Sequence, residues 1–249
     1  MASLAFPSLA KRATLSDGTS YGYVAHPSSK ADAITFLLLH GYPSSCYDWR
    51  HQIKSLSAAG GCGLLSRLVT YIPDCLMGIV PISVGYIQPG LVDIDAINAY
   101  TESLFGYPTY GYWPWHNNED AVKDCDEHPA SAFTLIYAAN PEDWKINMAP
   151  LDAAAEYVKA AAMRDVNNVD EAEIPDADRD CHLPTLLVVS EKDYITRADM
   201  NIATTKEHTP DLRVKNFADC GHWIQLERPD ELHQLLEEFA LELIDRKNS

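Results

Sequence analysis

Continuous apolar runs recur along the chain and indicate buried strands. A strand that lies in the middle of a parallel sheet is covered on both faces, so its sequence is apolar throughout rather than alternating. This pattern occurs at 33–40 (AITFLLLH), 76–84 (LMGIVPISV) and 183–195 (LPTLLVVSEKDYI). A further strand is predicted at LRVKNF, before the loop ADCGHW, and a short one at YGYVAH.

Helical periodicity separates these runs. Helices are predicted at 46–58, over LLSRLVTYIPD with an end near Pro73, and over the C-terminal segment that starts at Pro229. In that last segment the apolar positions with helical spacing are Leu235, Leu236, Phe239 and Leu243. Strands that alternate with helices predict an α/β fold with a mostly parallel sheet flanked by helices.

The segment 91–177 differs from the rest, because aromatic loops (FGYPTYGYWPWHN) lead into acidic helical stretches. We expect it to be a helical cap, or lid, inserted into an α/β core formed by 1–90 and 178–249. The chain shows no internal repeat and no low-complexity tract, and its 249 residues suffice for such a domain with an insertion.

Composition and charge narrow the range of partners and locations that the protein could have. The net charge of -17 argues against a nucleic-acid or anionic-membrane partner. No apolar run reaches the roughly 18 residues of a membrane span, and no basic segment precedes the N-terminal apolar patch, so neither a membrane span nor a signal peptide is expected. The six cysteines form no C-x-x-C pair and no cluster typical of zinc, so we expect reduced thiols and a cytoplasmic protein. No metal or organic cofactor is implied. The chain could form a homodimer.

Two strand ends carry residues suited to catalysis. Asp193 lies in the charged end of the segment 183–195, just beyond its apolar strand, and His222 lies in the loop before the last helix. Catalytic groups of open α/β sheets lie at the carboxyl ends of strands, and an acid followed by a histidine is the order of the second and third members of the α/β-hydrolase triad. A carboxylate would fix the histidine tautomer so that the ring can take a proton from water. In the turn HGYP, the backbone N–H of Tyr42 can serve as an oxyanion donor.

Four stretches resemble the epoxide-hydrolase branch of the α/β-hydrolase superfamily. In their details they resemble the fungal members of that branch. They are HGYPSSCYDWRHQI, FGYPTYGYWPWHNNED, LPTLLVVSEKDYITRADM and ADCGHWIQLERPDEL, and the resemblance extends from about residue 14 to residue 243. It implies hydrolysis of an epoxide on a small apolar substrate: an aspartate forms an ester with the substrate, and a histidine–acid pair activates water to cleave that ester.

The resemblance also implies residue roles. Asp193 matches the acid, His222 the histidine, and Tyr112 best matches the first of two cap tyrosines that donate hydrogen bonds to the epoxide oxygen, although Tyr107 and Tyr110 are close to it in sequence. Tyr157 is the nearest candidate for the second tyrosine. The expected oxyanion and substrate-binding positions are Tyr42, Trp113 and Trp223.

The nucleophile that the resemblance implies is missing. Between the HG turn and the nucleophile elbow the fold needs helix, strand, helix and strand, about 50 residues, whereas only 42–59 precede the glycines of GGCGL. The segment from Gly60 resembles what normally follows the elbow, and the preceding Ala58 and Ala59 carry no nucleophilic atom. The core sheet is therefore expected to be shortened.

Of three residues considered as a substitute for the nucleophile, only Cys62 is kept. Cys62, at a predicted helix start, is a further catalytic candidate, since a helix N-terminus lowers a thiol pKa. Asp74 lies in a turn far from the elbow, and Asp48 is expected on the surface of the first helix.

Three alternatives to an active epoxide hydrolase remain. The chain could be a non-catalytic relative that binds a ligand, or a deletion or splice product of a longer hydrolase. It could also be another hydrolase, either an esterase or a haloalkane dehalogenase, for which Trp113, Trp115 and Trp144 are available as halide ligands.

Overall fold

The fold is described by a computed structural model. It describes residues 2–28, 33–41, 44–55, 64–90, 92–116, 119–149 and 174–249. The strands are β1 (Ala10–Thr14), β2 (Ser20–Val24), β3 (Thr185–Ser190) and β4 (Leu212–Phe217). The helices in the N-terminal part are α1 (Ala2–Ala5), α2 (Arg50–Ser55) and α3 (Leu64–Tyr71).

The remaining helices form two groups, one between α3 and β3 and one after β3. Those in the predicted cap are α4 (Ile94–Phe105), α5 (Tyr112–His116), α6 (Glu119–Glu127), α7 (Pro129–Ile136) and a π-helical turn at Trp144–Met148. Those after β3 are α8 (Ala198–His208), α9 (Ile224–Glu227) and α10 (Pro229–Asn248). Short 3-10 turns occur at Cys46–Trp49, Pro73–Cys75 and Asp176–Asp178. Among all the helices that the structure describes, none is both long and apolar enough to cross a membrane.

A parallel sheet centred on β3 forms the core. All residues of β3 are buried, as its continuous apolar run predicts. On one side β3 pairs with β4 in parallel, in a register from Thr185 opposite Leu212 to Ser190 opposite Phe217. On the other side the segment 79–82 runs parallel to β3 through bridges at Ile79 and Ile82. The segment predicted as a buried strand at 76–84 is thus a neighbour of β3, but only two isolated bridges form, no strand is assigned there and most of its residues are half-buried.

The apolar run 33–40 was predicted to be a strand, and this prediction is wrong. No β-strand is assigned there, and no described strand pairs with it. Phe36 and Leu38 still pack against the core, whereas the side chain of Leu37 is 56% exposed. A strand needs a second backbone to satisfy its N–H and C=O groups. Among the described strands none supplies this backbone to 33–40, so the apolar run does not form a strand.

Helix α10 covers the sheet with the face that its periodicity predicts. Of the predicted positions, Leu236, Phe239 and Leu243 are buried and Leu235 is partly buried, and Leu232 is buried as well. They pack in one cluster with Trp49, Ile53, Leu186, Val188, Phe217, Cys220 and Ile224. Pro229 occupies the first turn of α10, where its missing N–H costs nothing. Acidic residues in the first turn and basic residues in the last turn complement the helix dipole. The C-terminal helix was predicted correctly.

We expect Leu236→Ala to lower the free energy of unfolding by about 2–5 kcal/mol, because it removes a side chain that is 1% exposed and leaves a cavity. Leu241→Ala is the matched control on the same helix, since Leu241 is 62% exposed, and it should change stability by about 0.5 kcal/mol or less. Urea unfolding of both variants measures the difference. Equal losses would contradict the packing of α10 on the sheet.

Candidate active site

The parallel pairing of β3 with β4 brings the loops that follow them to one edge of the sheet. Glu191 N–H donates to the carbonyl of Phe217 at 3.0 Å, and Lys192 N–H donates to the carbonyl of Cys220 at 3.1 Å. These backbone bonds fix the loop that starts after β3 against the loop that starts after β4. Asp193 lies on the first loop and His222 on the second.

Asp193 and His222 are in direct contact. Oδ2 of Asp193 lies 2.7 Å from Nδ1 of His222. The other carboxylate oxygen, Oδ1, accepts hydrogen bonds from the backbone N–H groups of Ile195 at 3.1 Å and Thr196 at 2.9 Å. Asp193 is 2% exposed, so its carboxylate is held by fixed donors rather than by water. Because Nδ1 faces the carboxylate, Nε2 is the ring nitrogen left to exchange a proton.

Thr196 takes part in this contact, although no sequence motif points to it. Its Oγ1 donates to Oδ2 of Asp193 at 2.5 Å and lies 3.0 Å from Nδ1 of His222. The hydroxyl therefore touches both atoms of the acid–histidine contact. Its position three residues after the acid is the only signal that the sequence contains.

Two tryptophans flank the imidazole of His222. The ring of Trp144 lies 5.2 Å from it, and the ring of Trp223 lies 4.8 Å away at an interplanar angle of 90°. Their indole N–H groups donate to consecutive carbonyls at the end of α7: Trp144 to Leu135 at 2.7 Å and Trp223 to Ile136 at 2.9 Å. The end of α7 is thereby attached to the His222 loop. The predicted substrate-binding residue Trp223 lies beside the histidine.

The cap tyrosines fall into two groups. Tyr112 and Tyr110 pack against the buried cluster of Trp144, Met148 and Ile195, which Trp223 also contacts. Tyr107 instead donates its hydroxyl to the carbonyl of Tyr194 at 2.8 Å, so it is engaged with the acid loop. Tyr112 therefore shares a cluster with Trp144, which borders His222, whereas the Tyr107 hydroxyl bonds to the acid loop.

The other predicted site residues are distributed as follows. Trp113 lies against Tyr110 and Tyr112, with ring centroids 5.6 and 6.5 Å away. Tyr42, Cys62 and Tyr157 lie outside the described residues. Within the described ranges, no group of three or more His, Cys, Asp or Glu side chains could hold a metal ion.

Asp48 is buried, which corrects the prediction that it lies on the surface. Asp48 is only 5% exposed. Ser44 donates its hydroxyl to Oδ2, and the Tyr137 hydroxyl lies 3.5 Å from Oδ1. Burial, and then the charge of Asp48, raise the pKa of Tyr137. Tyr137 also stacks on Trp223, with ring centroids 4.7 Å apart. Through Tyr137, the turn that carries Asp48 is connected to the aromatic side chains around His222. The helical pattern could not show that Tyr137 contacts this turn.

Cys220, close to His222 in sequence, is a buried thiol. Burial, and then the neighbouring Glu227, raise the pKa of Cys220 to about 12. The reactive form of cysteine is the thiolate, so Cys220 stays protonated and unreactive at neutral pH.

We expect iodoacetamide to alkylate the exposed Cys75 of the folded protein and to leave Cys220 unmodified until the pH approaches about 12 or the chain is denatured. Peptide mass spectrometry at a series of times measures both thiols in one sample. Alkylation of Cys220 at the rate of Cys75 would show that its thiol is accessible and ionised.

No protein-family model matches the chain. Among curated proteins, bifunctional epoxide hydrolase 2 of Mus musculus is 39% identical over 54 residues, and the protein of that name from Rattus norvegicus matches over the same length. These matches cover 22% of this chain and 10% of the length of each relative. The sequence similarity is therefore confined to a short segment.

Solved structures match over most of the chain. An epoxide hydrolase from Vigna radiata superposes with a TM-score of 0.61 at 14% identity, over 94% of this chain and 98% of its own. Epoxide hydrolase A from Mycobacterium thermoresistibile gives 0.62 at 16% identity, over 92% and 98%. A thermophilic esterase from Thermogutta terrifontis gives 0.52 at 14% identity, over 94% and 99%. The chain therefore has the α/β-hydrolase fold with a shortened core sheet, and it resembles epoxide hydrolases in structure.

Proposed function

We propose that this protein is a hydrolase that opens an epoxide on a small apolar substrate, with water activated by Asp193 and His222. The observation that carries the proposal is the 2.7 Å contact between Oδ2 of the buried Asp193 and Nδ1 of His222. A carboxylate at Nδ1 keeps the proton on that nitrogen and stabilises the imidazolium that forms when Nε2 takes a proton. The epoxide-hydrolase structures that share the fold support this choice of substrate.

The reaction needs no covalent intermediate. Nε2 of His222 takes a proton from water, and the water oxygen forms a bond to an epoxide carbon. The ring C–O bond to that carbon breaks, and the ring oxygen takes a proton from a tyrosine hydroxyl. The imidazolium then returns its proton, through solvent, to the tyrosinate. The product is a diol, and the protein regains its starting protonation state. Without a covalent nucleophile the rate depends on general acid–base catalysis by His222 and the tyrosine, and a proton transfer of this kind contributes about 10²–10⁴-fold.

Tyr112 is the proposed hydroxyl donor. Its ring packs on the cluster that contains Trp144, and Trp144 borders the imidazole of His222. A phenol donates well to a developing alkoxide in an apolar site. Trp113 and Trp223 would provide apolar substrate contacts. Roles for Tyr42 as an oxyanion donor, for Tyr157 as a second hydroxyl donor and for Cys62 as a nucleophile also remain proposals.

We further propose that 91–177 is a lid over the core formed by 1–90 and 178–249. The indole of Trp223, from the His222 loop, donates to the carbonyl of Ile136 in α7. The Tyr107 hydroxyl donates to the acid loop at Tyr194. The inserted segment therefore contacts both loops that carry the acid–histidine pair, which is the position a lid requires.

Binding without turnover is the second candidate function. The aromatic side chains around His222 provide an apolar surface whether or not a nucleophile is present. Among enzymes, the fold shared with the Thermogutta terrifontis esterase keeps an esterase activity in consideration. Binding of a styrene-like hydrocarbon without hydrolysis of epoxides or esters would favour the ligand-binding candidate.

We expect His222→Ala to lower the turnover of a chromogenic aryl epoxide by about 100-fold or more, because it removes the base. The matched control is His128→Ala, which removes an exposed cap histidine and should change the rate by about twofold or less. Initial rates at saturating substrate, with thermal melts to confirm folding, measure the effect. Turnover that survives His222→Ala would remove the support for the proposed base.

We expect Thr196→Val to lower kcat by about tenfold, since valine has the same shape but no hydroxyl for Oδ2 of Asp193 and Nδ1 of His222. The backbone N–H of residue 196 still donates to Asp193 in both variants, so Thr196→Ser, which keeps the hydroxyl, should retain most of the rate. A valine variant as active as the wild type would show that the hydroxyl contact is not needed.

A further inference from the structure

Ser83 has a backbone conformation that only glycine adopts without cost. It follows the segment 79–82 at the edge of the sheet where Asp193 and His222 lie. Its φ is +62°, and it is the non-glycine residue with positive φ among those described. The residue is 3% exposed. Left-handed backbone at a buried non-glycine residue is strained, and it persists where surrounding contacts require it.

The contacts of Ser83 hold it in this strained conformation. Its N–H donates to the carbonyl of Val188 in β3 at 2.8 Å, which continues the parallel ladder by one residue. Its hydroxyl donates to the backbone carbonyl of His222 at 2.5 Å. The two bonds point to different elements, so Ser83 connects the central strand to the histidine loop.

Asn201 of α8 extends this connection to the acid loop. Its side-chain amide donates to the carbonyl of Thr196 at 2.8 Å and to the carbonyl of Ser83 at 3.4 Å. Its Oδ1 accepts from the N–H of Gly85 at 2.9 Å. Since Thr196 contacts both Asp193 and His222, the turn that begins at Ser83 is linked to each side of the acid–histidine contact.

The turn has little freedom to relax away from α8. A Cβ added at Gly85 would lie 2.7 Å from Oγ1 of Thr205, and Tyr86 N–H donates to the same Oγ1 at 2.8 Å. The close packing fixes the backbone on the C-terminal side of Ser83. A glycine at position 83 would relieve the strain but would provide no hydroxyl for His222.

We propose that Ser83 is a positioning residue, whose hydroxyl holds the backbone of His222 so that the imidazole stays in contact with Asp193. Its importance for hydrolysis rests on the function proposed above. Its effect on the geometry of His222 does not depend on turnover.

The test compares Ser83→Ala, which removes the hydroxyl and keeps the strained Cβ, with Ser83→Gly, which removes both. Correlation spectra of nitrogen-15-labelled histidine rings, recorded in alkaline buffer where imidazole is neutral, report which ring nitrogen of His222 carries the proton. We expect the wild type to carry it on Nδ1. Both variants should show an increased share of the Nε2–H tautomer. The thermal melt should be higher for Ser83→Gly than for Ser83→Ala, because glycine relieves the strain.

The matched control is Thr205→Val. It removes another buried hydroxyl that bonds to the same turn but does not bond to His222. We expect it to lower the melting temperature and to leave the His222 spectrum unchanged. A His222 spectrum that is unchanged in both Ser83 variants would overturn the inference. A His222 spectrum that follows the melting temperature across all three variants would also overturn it, since that result would show a role in stability alone.

Turnover separates this inference from the proposed function. If the wild type hydrolyses the aryl epoxide, both Ser83 variants should lose about tenfold in kcat. If the wild type shows no turnover while the His222 spectrum changes in both variants, the proposed function fails and the positioning role of Ser83 stands.

Discussion

The parallel pairing of β3 with β4 is the interaction on which the candidate site depends. In a parallel pair both strands end at the same edge, so the loops that follow them must meet. Here the loops carry Asp193 and His222, and backbone bonds from Glu191 and Lys192 hold them together. The continuous burial of β3 makes a slip of this register costly, because every side chain of the strand lies in the core.

The shortened sheet limits the fold but leaves this pair of strands intact. Of the described strands, β3 has a neighbour on both sides, while β4 and the segment 79–82 each have one. Unpaired edges expose N–H and C=O groups and favour aggregation. Helix α10 packs its apolar side on the sheet. The contact between Asp193 and His222 depends on β3, β4 and the loops that follow them, so it forms in the shortened sheet.

Patterns in the sequence could predict the parts of the structure that follow from local rules. The apolar run of β3, the periodicity of α10 and the order of Asp193 and His222 are of this kind. Long-range packing decided the rest. The run 33–40 is apolar enough for a strand, but no described strand pairs with it, and Asp48 lies in a polar helical turn that Tyr137 contacts. Thr196 and Ser83 act through single hydroxyl groups, and neither periodicity nor composition distinguishes such a hydroxyl from an exposed one.

The origin of the oxygen atom in the product tests most directly whether water attacks the substrate without a covalent nucleophile. The measurement is a single turnover of an aryl epoxide in oxygen-18-labelled water, with protein in excess over substrate and mass analysis of the diol. Direct attack by water activated at His222 predicts a labelled diol in this first turnover. An unlabelled diol would contradict the account, because its new oxygen would come from a protein carboxylate through an ester. Absence of any diol from a cooperatively folded protein would contradict it as well.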